Sequence, residues 1–409
     1  MSTTVTRNIP DAMTSHTGFL LLPGLVGFTF AVRTCLTVIL FQRDPQQATI
    51  LSGVLSLALF AATVFYSAGG SPSIAISCFR TPTIRWSAAF LAFALVSVLW
   101  SVAPSAVAGG YWVAWAADVA TIWFLLRGGI AEAQASALFK GFVWGACVVA
   151  AIAWLIPPTE DLRLGNEDYL HPNVIGFLFS IATFLAIYLT PDKTTWRWPA
   201  FFLGTTLLRT LSKSSIIAFV GAFCFYLIVD STFSRKVKIR IGLASGVILA
   251  SLWGVLEAYL NDYTEKSTNL ETLTGRTLIW AVSLEYALEK PFLGNGFFAY
   301  RFVVPPFGEF QAQQAHDELL QQFFSFGAVG VIVTIALYWV FFRQIRRAPP
   351  SRLKNLAGTL LLFALIHGLT DAQVTDLSFP LWLMTMLSIL LASATQLADK
   401  TTVSLEYQE

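Results

Sequence analysis

The chain has 409 residues, 56% of them hydrophobic and 12% charged, with a mean hydropathy of +0.65. Soluble domains carry roughly 25% charged residues, so these proportions exclude a water-soluble fold, which would have to hide too much apolar surface. A formal charge of +2 supplies no basic field, which argues against nucleic acid as a partner.

A bilayer-spanning helix needs roughly 20 mostly apolar residues. By that rule the spans fall at approximately 18–41, 46–66, 84–100, 106–126, 135–156, 172–190, 196–211, 214–230, 240–260, 318–342, 355–371 and 378–397. The first run is too long for a signal-peptide core and lacks a small-residue cleavage site, so it reads as a helix that stays. The seventh and eighth spans are short, and only Leu211-Ser212-Lys213 separates them. Cys35, Cys78, Cys147 and Cys224 lie far apart, mostly within apolar runs and without C-x-x-C spacing, so neither a disulfide framework nor a metal site is expected.

Basic residues orient the set. Arg235, Lys236, Lys238 and Arg240 crowd one short loop, and Arg343, Arg346, Arg347, Arg352 and Lys354 another. Both loops belong on the cytoplasmic side, and alternation then puts both termini inside. The same parity places segment 261–317 outside, together with 101–105, 157–171 and Lys213. The expected fold is an all-α polytopic membrane protein of about twelve helices, a single membrane domain over 1–409 with one long extracytoplasmic loop at 261–317. Within that loop, Ile279, Trp280, Leu284, Ala287 and Leu288 approach helical spacing, with Thr274 as a cap and Pro291 as a stop. Gly294-Asn295-Gly296 then predicts a turn. Such an amphipathic helix lies along the membrane surface or over the bundle.

Charge at a bilayer rim costs several kcal/mol and so tends to face protein or water. On the outer side the candidates are Arg209, Lys213, Arg276 and His316, with His171, His367 and Asp371 near helix ends. There is no HExxH, Walker loop, G-x-S-x-G elbow or acidic pair in the long loop. Cations and imidazoles at a water–lipid boundary suit a phosphate or diphosphate, and a lipid diphosphate is the natural ligand. Plainer readings stand beside this one. Arg209 and Lys213, about one turn apart, snorkel to the interface. His316 serves a helix start, His367 and Asp371 form a structural i,i+4 pair, and Arg33 and Asp118 pair to lower their burial cost.

Four segments resemble the O-antigen ligase and Wzy-type polymerase superfamily: WSVAP at Trp100–Pro104, LHPNVIG around His171–Gly176, LSKSS at Leu211–Ser215, and GRTLIW…EKPFLGNGF followed by AHDELLQ…FGAVG over 275–330. The resemblance implies a GT-C-like fold, an extracytoplasmic site and a glycan donor carried on undecaprenyl diphosphate, with no metal and no cofactor. Carried over, Arg276 and His316 are catalytic, and Arg276, Lys213 and Arg209 hold the diphosphate. His171, Asn173, Asp317 and Trp280 are the expected substrate contacts. Two positions depart from the family: Lys213 stands where Arg is common, and Asp317 where Asn is common. A carboxylate beside His316 either raises the pKa of the imidazole or orients the ring.

The implied activity is an inverting glycosyl transfer that polymerises lipid-linked repeat units into exopolysaccharide or O-antigen. The alternative is a ligase delivering finished glycan to lipid A-core or another acceptor. The implied partners are the lipid-linked donor, an acceptor glycan, the bilayer, a flippase and a chain-length regulator. From a different class, a twelve-span transporter or flippase would show two related halves and a basic loop after the sixth span. Here that loop is only Pro191–Thr195.

Overall fold

A computed structural model describes residues 20–41, 45–67, 81–126, 131–157, 163–166, 170–230, 234–236, 238–240, 242–243, 273–308 and 310–406. Their regular structure is helical, with isolated β-bridges at Asn166–Leu170 and Phe307–Phe310. In chain order the helices are α1 Leu21–Val32, α2 Leu36–Ile39, α3 Pro45–Ser67, α4 Pro82–Ser97, α5 Ser105–Leu125, α6 Ala131–Leu155, α7 Pro172–Leu189, α8 Arg197–Arg209 and α9 Lys213–Val229. Then follow α10 Leu273–Glu289, α11 Tyr300–Val303, α12 Glu318–Arg347, α13 Arg352–Gly368 and α14 Leu381–Glu406.

Four stretches are long and apolar enough to cross a membrane: Gln47–Ser67, Ala131–Leu155, Pro172–Leu189 and Glu318–Arg347. Shorter apolar helices lie at Leu21–Cys35, Pro82–Ser97, Lys213–Val229 and Leu381–Gln396. Most of the expected span 240–260, and residues 261–272 of the long loop, lie outside the described residues.

Three local expectations need correction. The continuous helix over 18–41 is interrupted by a 3-10 turn at Arg33–Cys35, where Thr34 Oγ1 and Cys35 Sγ bond back to the carbonyls of Ala31 and Val32. Arg209 and Lys213 are not a turn apart on one helix, because α8 ends at Arg209 and α9 begins at Lys213. Leu211 between them has φ 52°, a left-handed backbone that breaks the helix. Thr274 does not precede its helix, since α10 already starts at Leu273.

Packing follows from residue size. α1 lies against α6, where Gly27 faces the Leu138 carbonyl and Gly141 the Gly24 carbonyl, so that a Cβ at either glycine would meet backbone. Small residues let helix backbones approach where apolar solvent supplies no hydrophobic drive. Inside the bundle, Arg33 grips Asp118 through both forks, Nη2 to Oδ2 at 2.8 Å and Nη1 to Oδ1 at 3.1 Å. Nη1 also donates to Ser56 Oγ at 3.0 Å, so the pairing expected of these two residues is present.

The segment after α10 is tied to the bundle by a break in α12. Gly327 has φ 63°, and a Cβ there would strike the backbone of Phe292 and Leu293. The freed helix groups pair with the crossing chain: Ala328 N–H donates to Pro291 O, Asn295 N–H to Phe324 O, and Gly296 N–H to Ser325 O. From the other side the WSVAP turn clamps the same strip, with Trp100 Nε1 donating to Leu293 O and Ser101 Oγ to Phe297 O. Gly296, at φ 92°, lies against Ser101 with no room for a side chain. Ile279, Ala287, Tyr300, Ala315 and Phe324 form a small separate core beneath this part of the chain. These contacts fix α10 and the residues leading into α12 relative to the helices.

Candidate active site

His316 lies immediately before the residue that caps α12. Asp317 is that cap, accepting the Leu320 N–H at 2.8 Å, and the Ala315 N–H donates to Gln321 Oε1 at 2.8 Å. Held between them, His316 has φ 52°, a conformation that costs a non-glycine residue on the order of 1–3 kcal/mol and persists only where its surroundings impose it. Its Nδ1 is 3.2 Å from Asp371 Oδ1. The same oxygen accepts from Gln314 Nε2 at 2.8 Å and from the Ala372 N–H at 3.0 Å.

Asp371 is buried, and burial pushes its carboxyl up, but the His316 hydrogen bond and the charges of His316, His367 and Arg276 outweigh that and hold it below the usual carboxylate range. A carboxylate kept ionised here favours the tautomer with the proton on His316 Nδ1, leaving Nε2 as an acceptor. The neighbour that orients His316 is therefore Asp371. Asp317 is engaged at the helix cap, and its own carboxyl is raised by burial. His367 stands 4.0 Å from the other Asp371 oxygen, so the i,i+4 contact is the looser of the two. Its Nε2 is 3.4 Å from Ser215 Oγ, which in turn accepts from Ser212 Oγ at 3.0 Å. The ring sits beside Phe177 and Phe363.

Cations gather around this network. Arg276, in the first turns of α10, donates from Nη1 to the Thr370 carbonyl at 2.6 Å, next to Asp371. Lys213, at the exposed start of α9, lies within the electrostatic reach of both Arg163 and Arg276. Arg163 was not singled out by sequence. It is buried, with Nη2 donating to Asn173 Oδ1 at 2.9 Å. His171 caps α7 by accepting the Asn173 N–H at 3.2 Å. The LHPN stretch thus positions Arg163. The signal available in sequence was an arginine in the short segment 157–171, on the same expected side as Lys213. Arg209, half-buried at the end of α8, takes the Leu164 N–H on its carbonyl at 3.3 Å and so tethers the same segment. Trp280 lies on α10, and its indole N–H is buried without a protein acceptor among the described residues.

An apolar cleft of about 430 Å³ runs between α12 and α13, walled by Leu319, Ile335, Trp339, Phe342 and Leu365. Asp317, the residue after His316, also lines it, with Glu318 and Gly368. Glu318 is fixed there by Tyr338 Oη at 2.8 Å and by the Ser378 N–H at 3.0 Å. Among the described residues no cluster of His, Cys, Asp and Glu has the arrangement of a metal site.

The family described as O-antigen ligase matches residues 198–335. The exopolysaccharide production protein ExoQ of Rhizobium meliloti is 25% identical over 296 residues, 64% of this chain and 65% of that protein. An O-antigen ligase of Pseudomonas aeruginosa is 28% identical over 171 residues, 42% of this chain and 40% of the relative. The chain therefore matches less than two thirds of the length of either relative.

Proposed function

We propose, from the premise that the chain belongs to the O-antigen ligase/Wzy-type superfamily, that it moves a glycan from a polyprenyl diphosphate to a hydroxyl of an acceptor sugar at the outer face of the bacterial cytoplasmic membrane. The observation that carries this reading is the buried Asp371 holding the His316 ring beside Arg276. The acceptor oxygen attacks the anomeric carbon from the face opposite the diphosphate, the bond from that carbon to the phosphate oxygen breaks, and the configuration inverts. His316 Nε2 takes the hydroxyl proton, a contribution of roughly 10²- to 10⁴-fold. The lipid diphosphate leaves with the bonding electrons, so the enzyme's largest task is to align it and neutralise its charge. Arg276 and Lys213, with Arg163 behind them, suit that task. The first-turn N–H groups of α9, which has no side-chain cap, add a positive helix end. The apolar cleft that Asp317 helps to line suits the first isoprene units of the lipid. These residues need no metal for the step.

The ExoQ relative, named for exopolysaccharide production, supports a part in making exopolysaccharide, which we read as polymerisation of repeat units. The O-antigen ligase match favours delivery of a finished glycan. One experiment tests the chemistry and separates the two. His316→Ala and Arg276→Ala should each abolish transfer at an unchanged protein level. Single lipid-linked repeat units then accumulate in cells if the protein polymerises, and long lipid-linked chains if it ligates. Normal transfer by both variants would remove the catalytic assignment. The orientation is tested by a reporter active only outside the cytoplasm, which should be active when fused after Phe307 and silent after Arg347. Equal signals would reverse that reading.

A further inference from the structure

The buried face of α10 is short and small. Ile279, Ser283 and Ala287 are turned inward along one line of the helix, and Ser283 Oγ shares a 2.7 Å hydrogen bond with Tyr300 Oη. Residues four apart lie one above another on a helix. Leu284 and Leu288 therefore form a second line, and both are exposed, 44% and 58%. The line runs on past the helix end into Phe292, 75% exposed, and Leu293, 49% exposed. Glu285 and Glu289, each one residue further round, form an exposed acidic flank beside it. Over residues 284–289 the exposed surface thus carries an apolar strip beside an acidic one, whereas Leu278, 50% exposed, lies on the acidic side two turns before Glu285.

The apolar strip has a neighbour. Trp100 and Ser101 bind Leu293 and Phe297 to the end of α4, where Leu95 and Val96 are exposed, as is Leu99 in the turn just beyond, at 86%. α4 is one of the shorter apolar helices and lies within the expected span 84–100, so we read these exposed apolar side chains as part of the surface that faces lipid.

We propose that the Leu284–Leu288–Phe292 line of α10 is seated in the interfacial layer of the bilayer, continuing the lipid-facing surface of α4, while Glu285 and Glu289 face water. A helix held in this way sinks its apolar side about 5–10 Å into the boundary between headgroups and acyl chains. The occupant is a lipid surface because the patch is continuous with the α4 belt and ends at an acidic edge. The consequence is positional: Arg276, at the start of the same helix, is held at headgroup height. The inference does not rest on the proposed transfer, and its test reads no activity.

In a full-length chain with Cys35, Cys78, Cys147 and Cys224 replaced, single cysteines are introduced as Leu288→Cys, Phe292→Cys, Glu285→Cys and Glu289→Cys, with Val96→Cys as the lipid-facing reference. Each is nitroxide-labelled and reconstituted into phosphatidylcholine vesicles, and its collision rates with oxygen and with a water-soluble nickel chelate are measured. Labels at 288 and 292 should favour oxygen as the reference does, several-fold more than labels at 285 and 289. A label at 288 as accessible to nickel as the label at 289 would place this line in water and overturn the proposal. A label at 288 shielded from both reagents would mean that a second copy or another protein surface covers it, which overturns the proposal equally.

Discussion

Two buried charged groups in this molecule are built on opposite plans. Arg33 and Asp118 meet fork to fork, with Ser56 taking a remaining donor hydrogen and Phe30 lying under the guanidinium, so the charge is matched where it stands. Around Asp371, by contrast, one carboxylate gathers two imidazoles and an arginine, with Lys213 in electrostatic reach both of that arginine and of Arg163. The first arrangement is complete within the protein. The second concentrates positive charge at an expected water–lipid boundary and places it beside an imidazole held at a left-handed φ. Matched charge suits a structural role, whereas charge gathered around a strained imidazole is the arrangement the proposed diphosphate ligand would use.

Substitutions can break or sharpen that contrast. The largest expected effect after loss of His316 or Arg276 is at Asp371. Asp371→Asn should keep the protein folded yet lower transfer on the order of 10²-fold, because the imidazole loses the partner that sets its tautomer and orientation. The measured rate in membranes at matched protein level decides this. Since the folded carboxyl lies below its ordinary value of about 3.9, its contribution to stability is fully present above that pH and is lost as pH falls through the still lower folded value. Stability measured from pH 5 to 8 should therefore show no titration from Asp371.

At the matched pair the expected damage is to stability. Arg33→Ala or Asp118→Ala each leaves a charge buried without its partner, at a cost of about 3–5 kcal/mol. Thermal unfolding in detergent should fall for either variant, and the double variant Arg33→Leu/Asp118→Leu should recover much of the loss. If a single variant melts normally but fails in transfer, the contrast between the two groups collapses.

Smaller effects are expected from exchanging cations. Arg276→Lys should retain part of the activity, since a point charge replaces a planar fork that grips two phosphate oxygens. Lys213→Arg should be tolerated or improve transfer. Comparing the apparent KM for the lipid-linked donor with kcat would show whether these side chains act on binding or on the transition state.

Much of the helical order was legible, because bilayer spans are written as runs of apolar residues and the breaks as polar or glycine-rich punctuation. Gly294-Asn295-Gly296 shows its turn openly, with φ of 65° and 92° at the two glycines. The break at Gly327 was harder to see, since FGAVG reads as continuous apolar helix and only the backbone of Phe292 passing against it explains the kink. In the site, residue types drew attention to Arg276, Lys213 and His316. The relation of His316 to Asp371 joins residues 55 apart in sequence and has no periodicity to betray it. Asp317 stood nearer in sequence, but helix capping claims its carboxylate. Arg163 escaped for a similar reason, because its importance comes from Asn173 and Lys213 across a fold that spacing does not reveal.

The seam between the helix break and the WSVAP turn also bears on the order in which the protein is made. Ser97 Oγ accepts the Phe297 N–H, a contact 200 residues long in sequence, and Ser101 Oγ donates to the Phe297 carbonyl across 196. Contacts of such separation close late, after the local helices have formed. While the chain is being inserted, α4 must therefore wait with its outer end unpaired until residues 291–297 have arrived and α12 has entered to receive them. His316 and Arg276 meet their partners Asp371 and Thr370 later still, once α13 has followed, so a half-inserted chain holds parts of the proposed site without the contacts that join them.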